Sequence, residues 1–256
     1  MRNVTLSGGR TYLLAEPVVD PSAVLLSLHG TRSSAQGQVR ISRMAQLAHD
    51  GVVAVFPQAI VPAGSGFEWD HQADMAYLLQ MAAELRRRYP TAHRRVCITG
   101  MSGGARMACH FAATEPGAVA MVGAVAGLRA PDGPPVSRPV PVLAFHGTAD
   151  RINPYAGSGT ARWGESVPEA ARRWAIANGV DSEVVTSVVS PRLTRTTYGG
   201  EGHPGEVTLW TAQGAGHTWP GSRLPMLLRL IVGRTTMEID ASTKLWSFAQ
   251  LHMRDH

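Results

Sequence analysis

An apolar run leads directly into a glycine-rich turn at Val96-Cys97-Ile98-Thr99-Gly100-Met101-Ser102-Gly103-Gly104. Such a run is typical of a buried strand, and the residues that follow the turn favour a helix. A serine flanked by glycines two positions away on either side is held in a strained turn, with its hydroxyl pointing out of the sheet. The segment therefore predicts a strand, a sharp turn that carries Ser102, and a helix.

Strands and helices alternate on both sides of this turn. Apolar runs predict strands at Ala23–Leu28, Val52–Phe56, Arg95–Thr99, Ala118–Val125, Val140–Phe145, Glu183–Val189 and Val207–Trp210. Helical periodicity predicts helices near Gln38–His49, Gln72–Tyr89, Ala105–Ala113, Pro168–Ala177 and Ala241–His252. An antiparallel hairpin is predicted from Val4–Leu6 and Thr11–Ala15. The pattern indicates an α/β fold with a mostly parallel central sheet, helices on both faces and no separate lid domain.

Length and composition favour one globular domain over residues 1–256. Hydrophobic residues make up 44% and charged residues 17% of the 256, as in ordinary soluble domains. The net charge is +5, but the arginines are scattered, and the densest runs, Arg86–Arg88 and Arg94–Arg95, close a predicted helix. This distribution favours a solvated surface over nucleic-acid binding. No apolar run is long enough for a membrane span, and Cys97 and Cys109 are expected to be free, buried thiols.

A serine nucleophile needs an imidazole to take its proton and a carboxylate to orient that imidazole, here in the chain order Ser, Asp, His. Asp150 follows the strand that ends near Phe145, and His217 lies in a late loop between glycines. These two residues are the predicted acid and base. The remaining candidates are Asp132 and Asp181 for the acid, and His203, His252 and His256 for the base. His146 is expected to bond the end of its strand.

Backbone N–H groups that could stabilise an oxyanion are expected at Gly103, next to the serine, and at Thr31, in the loop after an early strand. No cofactor and no metal site are predicted. The histidines form no H-E-x-x-H cluster, and neither a G-x-G-x-x-G turn behind an early strand nor a P-loop lysine is present.

Together the motifs resemble the polyhydroxybutyrate depolymerase and feruloyl esterase-like family of α/β-hydrolases. The resemblance covers about Tyr12 to His252 and is carried by Leu28–Gly30, Gly100–Gly104, His146–Asp150 with Pro154-Tyr155, Gly216–Gly221, and Gly233–Thr236 through Ile239–Ala241. It implies a serine esterase that cleaves hydroxyalkanoate oligomers or hydroxycinnamoyl esters with the same three residues. Two features of many relatives are missing, a cysteine near Val180 and a polymer-binding domain.

The resemblance also implies export from the cell, whereas Met1–Pro17 shows no signal peptide, so a cytoplasmic location is the alternative. The expected partner is a small or oligomeric ester, and a monomer is assumed.

Aromatic side chains at Trp69, Tyr155 and Trp219 are candidate substrate contacts. The remaining tryptophans are expected to pack in the core: Trp163, Trp174, Trp210 and Trp246. A peptidase or acyltransferase, or a catalytically silent binding protein, would fit the same scaffold.

Overall fold

The structure is a computed structural model that describes residues 1–6, 8–90, 92, 96–133, 136–160, 164–223 and 226–253. Its main sheet consists of β1 (Arg2–Thr5), β2 (Thr11–Ala15), β3 (Ala23–Leu28), β4 (Val52–Pro57), β7 (Val96–Met101), β8 (Val119–Val125), β9 (Val142–Gly147), β10 (Val184–Ser190), β11 (Leu193–Tyr198) and β12 (Val207–Ala212). A separate small hairpin is formed by β5 (Val61–Ala63) and β6 (Gly66–Glu68). The helices are α1 (Ala35–Ser42), α2 (Ala73–Arg88), α3 (Gly103–Thr114), α4 (Val167–Ala177), α5 (Met226–Val232) and α6 (Ala241–His252).

The main sheet has the order β1-β2-β4-β3-β7-β8-β9-β12-β11-β10. Strands β4, β3, β7, β8, β9 and β12 pair in parallel, and antiparallel strands extend the sheet at both edges. The chain goes from β3 to β4 on one side and then returns to β7 on the other side of β3. Ligands of open parallel sheets bind beyond the carboxyl ends of the strands at such a reversal. The fold therefore creates a binding crevice where β3 and β7 end.

Two apolar cores lie on the two faces of this sheet. Along β3, Leu26 and Leu28 belong to one core and Leu25 to the other, because successive side chains of a strand point to opposite faces. Helices α2, α3 and α4 contribute to the first core, and α1 and α6 to the second. This double burial explains why the central strands are continuous apolar runs.

Several predicted elements differ from the structure. The predicted helix Gln38–His49 is two pieces, α1 and a 3-10 helix over Met44–Asp50, because Arg43 adopts a left-handed conformation with φ of 55°. The first strand ends at Thr5, before the predicted Leu6. No strand was predicted between Phe56 and Gln72, but β5 and β6 lie there. Strand β11 and helix α5 were not predicted. Arg94 and Arg95 lie outside the described residues.

Within the described segments, no helix is both long and apolar enough to cross a membrane. Cys97 and Cys109 are buried thiols that form no disulfide bond, as the sequence indicated.

Candidate active site

Ser102 lies at the tip of a sharp turn between β7 and α3. Its φ of 54° and ψ of −115° are strained for a residue with a side chain. The backbone N–H of Ser102 donates to Val125 O on β8 at 2.8 Å, which ties the turn to the sheet. The turn leaves the serine hydroxyl at the wall of a cavity, although the residue is 8% exposed.

Glycines around this turn permit a backbone approach that no other residue would allow. A Cβ added to Gly100 would lie 2.4 Å from the carbonyl carbon of Gly104, and one added to Gly104 would lie 2.3 Å from Leu28 O. The start of α3 thus packs directly against the ends of β3 and β7. The G-x-S-x-G spacing has a steric cause in this fold.

Asp150 and His217 are in direct contact. Asp150 follows β9, His217 follows β12, and these strands are neighbours in the sheet. His217 Nδ1 donates to Asp150 Oδ2 at 2.7 Å, which leaves Nε2 of the neutral ring as its proton acceptor. The other carboxylate oxygen, Oδ1, accepts the backbone N–H groups of Ile152 and Asn153, both at 2.8 Å. The carboxylate is therefore fixed on both sides.

The charge on Asp150 is stabilised where it is buried. Burial alone would raise the pKa of this carboxyl, but hydrogen bonds from His146 and His217 and from the backbone of Asn153 outweigh it and hold the pKa well below its usual range. His146 Nε2 lies 3.3 Å from Asp150 Oδ2 and also donates to Asn153 O at 2.8 Å. Asp150 is thus an anion that can orient and stabilise a protonated imidazole.

The loop that carries His217 is held by the segment that follows α5. His217 N–H donates to Val232 O at 2.6 Å, and Gly216 N–H donates to Arg234 O at 2.8 Å. A Cβ on Gly216 would lie 2.1 Å from Val232 O, so glycine is required there. The position of the imidazole depends on this close backbone contact.

The loop after β3 brings a second backbone N–H towards the serine turn. A Cβ built on Gly103 would lie 3.1 Å from Thr31 N, so the two predicted oxyanion donors are adjacent. Neither N–H donates to a protein acceptor among the described residues. The hairpin β5–β6 fixes this loop, because Arg32 N–H donates to Phe67 O and Phe67 N–H to Ser33 O, both at 2.9 Å.

Ser102 and His217 line the same cavity, which has a volume of about 880 Å³. In the structure, Ser102 Oγ and His217 Nε2 do not form a hydrogen bond, and such contacts commonly tighten only when substrate binds. Apolar side chains dominate one part of the wall: Ile41, Pro62, Ala63, Met101, Ile152, Leu228 and Val232. Polar side chains complete it: Thr31, Arg32, Ser33, Gln38, Glu68, Arg106 and Asn153.

The three aromatic residues expected to contact substrate do not line this cavity. Trp69 is buried, and its indole N–H donates to His29 O at 2.8 Å, so it supports the loop that precedes Thr31. Trp219 is 1% exposed and donates to Ser242 Oγ at 3.1 Å within the second core. Tyr155 packs against the first core and hydrogen-bonds Thr211 Oγ1 at 2.9 Å. All three side chains make structural contacts. The prediction was wrong because a position near a motif in the sequence does not fix the direction in which the side chain points.

The alternative acids and bases lie elsewhere. His203 accepts the N–H of Gly205, and His252 pairs with Glu206 at 3.1 Å in a buried contact. Asp132 lines a different cavity, and Asp181 is exposed. His256 and Trp163 lie outside the described residues. Trp174, Trp210 and Trp246 are buried, as predicted.

Most residues of the cavity wall were missed in the sequence, among them Asn153, Leu228 and Val232. Asn153 fixes the acid loop and donates to Ala126 O, while Leu228 and Val232 line the cavity from α5. The sequence held a signal for Asn153. It stands three residues after Asp150, and an aspartate side chain often accepts the backbone N–H groups two and three residues further along a turn. Leu228 and Val232 belong to no motif and could be placed only by the fold.

Comparison with known proteins relates the chain to esterases. The protein named "Putative esterase NocK" from Nocardia uniformis subsp. tsuyamanensis is 28% identical over 94% of this chain and 79% of its own length. A "Bifunctional acetylxylan esterase/xylanase XynS20E" from Neocallimastix patriciarum is 28% identical over 52% of this chain, a segment that amounts to 20% of that longer protein. No family model matches the chain.

A solved acetyl xylan esterase from Aspergillus awamori superposes with a TM-score of 0.64 and 18% identity, covering 85% of this chain and 93% of that one. The chain has the α/β-hydrolase fold. The predicted fold class is therefore confirmed, and the relatives support the broader prediction of an enzyme that acts on ester bonds. They do not single out the depolymerase or feruloyl group within the esterases.

Proposed function

We propose that this α/β-hydrolase is a serine carboxylic ester hydrolase in which Ser102, His217 and Asp150 act as nucleophile, base and orienting acid. The observation that carries the proposal is the hydrogen bond of His217 Nδ1 to the buried Asp150, whose other carboxylate oxygen accepts two backbone N–H groups. His217 lines the same cavity as Ser102. The hydrogen bond to Asp150 assigns the proton of the neutral ring to Nδ1 and leaves Nε2 free to take a proton.

In the proposed reaction His217 Nε2 takes the Ser102 hydroxyl proton while Oγ attacks the ester carbonyl carbon. The carbonyl oxygen becomes an oxyanion, which the N–H groups of Gly103 and Thr31 stabilise. Collapse of this intermediate breaks the bond to the alcohol, which leaves with the proton from His217. Water then attacks the acyl-enzyme by the same route, and the acid is released.

The cavity wall favours aliphatic over aromatic acyl groups. Among the described residues that form it there is no Phe, Tyr or Trp, and the apolar part is aliphatic apart from Met101. A hydroxycinnamoyl ring would find no aromatic partner there. We therefore propose short aliphatic esters, hydroxyalkanoate oligomers in particular, as substrates. Acetyl esters of a polysaccharide are a second candidate, favoured by the acetylxylan esterase relative.

The test compares the protein with its Ser102→Ala variant on p-nitrophenyl butyrate, a hydroxybutyrate trimer, acetylated xylan, methyl ferulate and a peptide amide. Ester hydrolysis is expected to fall by at least about 10³-fold in the variant, with an unchanged circular dichroism spectrum. A fluorophosphonate should label the unmodified protein at Ser102. Ester hydrolysis that survives in the variant would reject the nucleophile. Activity on the amide alone would favour a peptidase, and no labelling would favour a silent binding protein.

A further inference from the structure

Helix α5 is an apolar helix whose side chains are exposed to solvent. Six of its seven residues are apolar, and none is buried. Met226, Leu227, Leu230 and Ile231 are 80%, 78%, 82% and 70% exposed. A helix this short is not stable by itself in water, and a contiguous apolar surface of this kind marks a site of interaction.

The helix is part of the rim of the candidate active site. Leu228 and Val232, one turn apart on one face of the helix, line the cavity that holds Ser102 and His217. Val232 O also accepts the His217 N–H. On the outer side, Leu227 shares a face with Leu230 and Ile231, three and four residues along. Apolar surface therefore continues from the cavity wall over the rim to the outside of the molecule.

From this continuity we propose that α5 attaches the enzyme to the surface of an aggregated aliphatic ester, a droplet or a polyester particle, with the cavity mouth against that surface. The proposal deepens the proposed function and rests on it. An apolar ester surface needs no complementary shape, and it would cover the outer face of α5 and supply ester groups to the cavity at the same time. Burial of these side chains would drive attachment.

A second copy of the chain fits this helix less well. A seven-residue helix is only about 10 Å long, whereas a stable protein interface buries about 800 Å² on each partner. A partner seated on α5 would also cover the rim of the cavity that α5 lines. The size and position of the apolar face therefore favour a substrate surface.

The experiment replaces Leu227, Leu230 and Ile231 together by glutamine, a residue with good helix propensity. None of the three lines the cavity. The matched control replaces Val185, Val188 and Val189 by threonine. These three valines are also exposed, at 56%, 76% and 53%, but lie on the edge strand β10. Adsorption to emulsified tributyrin is measured by depletion of the protein from solution, with Ser102→Ala added to each variant so that no turnover occurs.

Adsorption is expected to fall about tenfold or more in the glutamine variant and to stay unchanged in the control. With Ser102 intact, the glutamine variant should lose turnover of emulsified tributyrin but keep kcat/KM for dissolved p-nitrophenyl acetate within about twofold. Equal adsorption of the two variants would overturn the proposal, as would a dimer of the unmodified protein that the glutamines dissociate in gel filtration. If no ester is hydrolysed at all, the proposed function fails, while adsorption still reports on α5 separately.

Discussion

His146 Nε2 lies 3.3 Å from Asp150 Oδ2, the same oxygen that accepts the hydrogen bond of His217. The two imidazoles approach one carboxylate from two directions, and both His146 and Asp150 are buried. His146 also donates to Asn153 O at 2.8 Å, which connects the end of β9 to the acid loop. We infer that His146 is a positioning residue that helps to keep Asp150 ionised and in place.

Replacement of His146 by leucine should therefore lower kcat about tenfold, the cost of one hydrogen bond to a charged group, with little change in KM. The pKa of Asp150 should rise towards its usual range, because one hydrogen bond to the carboxylate is lost. Steady-state kinetics at neutral pH measure kcat and KM separately.

His146→Gln is the matched variant, because its amide can still donate to the carboxylate. It should recover most of kcat. Equal losses in the leucine and glutamine variants would show that the ring acts only by filling space.

Gly103→Ala tests the proposed oxyanion donors. The new Cβ would lie 2.3 Å from Thr31 Oγ1 and 3.1 Å from Thr31 N, so the two backbone N–H groups could no longer converge on one oxygen. A loss of about 10²-fold in kcat is expected, the usual effect of one such donor. The double variant Gly103→Ala, Thr31→Ala removes the closer clash and should recover part of the loss. No recovery, or no loss in the single variant, would count against Thr31 as a donor.

Gly216→Ala tests how the loop that bears His217 is held. The added Cβ would meet Val232 O at 2.1 Å and the Cα of Gly233 at 2.7 Å, and both are backbone atoms that cannot rotate away. Displacement of the imidazole by about 1 Å should lower kcat/KM about 10²-fold. The control is Gly117→Ala, where no atom lies within 4 Å of the new Cβ. Kinetics that do not distinguish the two variants would contradict this account of the loop.

The central part of the fold could be predicted because buried parallel strands leave continuous apolar runs in the sequence. The elements that were missed lack such a signal. In β11 the residues between Leu193 and Tyr198 are threonine and arginine, so the strand has little apolar pattern and is defined by pairing with β12 and β10. Helix α5 is apolar at every position except Arg229 and shows no amphipathic period. The predicted helix breaks at Arg43, which adopts the left-handed conformation although it is not a glycine. No local sequence pattern indicates such a break.

At the site, Asp150 and His217 were predicted because each stands just past the end of a strand, in the chain order Ser, Asp, His that is typical of the α/β-hydrolase fold. Their contact depends on the adjacency of β9 and β12, which is a property of the sheet order. The cavity wall could not be predicted from motifs. Trp69 and Trp219 lie near motif residues but point into the protein, whereas Leu228 lies outside every motif and lines the cavity.

A second buried carboxylate, Glu206, predicts how stability depends on pH. Burial would raise the pKa of Glu206, but hydrogen bonds from His252, Thr208 and the backbone of Gly202 hold it below its usual value. A carboxyl whose pKa is lower in the folded state stabilises the fold above its unfolded pKa, about 4.3. That contribution is lost as the pH falls through the folded value.

Glu206→Gln should therefore lower the free energy of unfolding by about 2 kcal/mol at neutral pH, and the difference from the unmodified protein should shrink as the pH falls below about 4. Urea unfolding at a series of pH values measures this difference. The control is Glu201→Gln, whose side chain is 72% exposed and whose pair with Arg195 is 3.7 Å long. It should change stability by no more than about 0.5 kcal/mol at any pH. A difference for Glu206→Gln that stays constant down to low pH would mean that its hydrogen bonds do not depend on the charge.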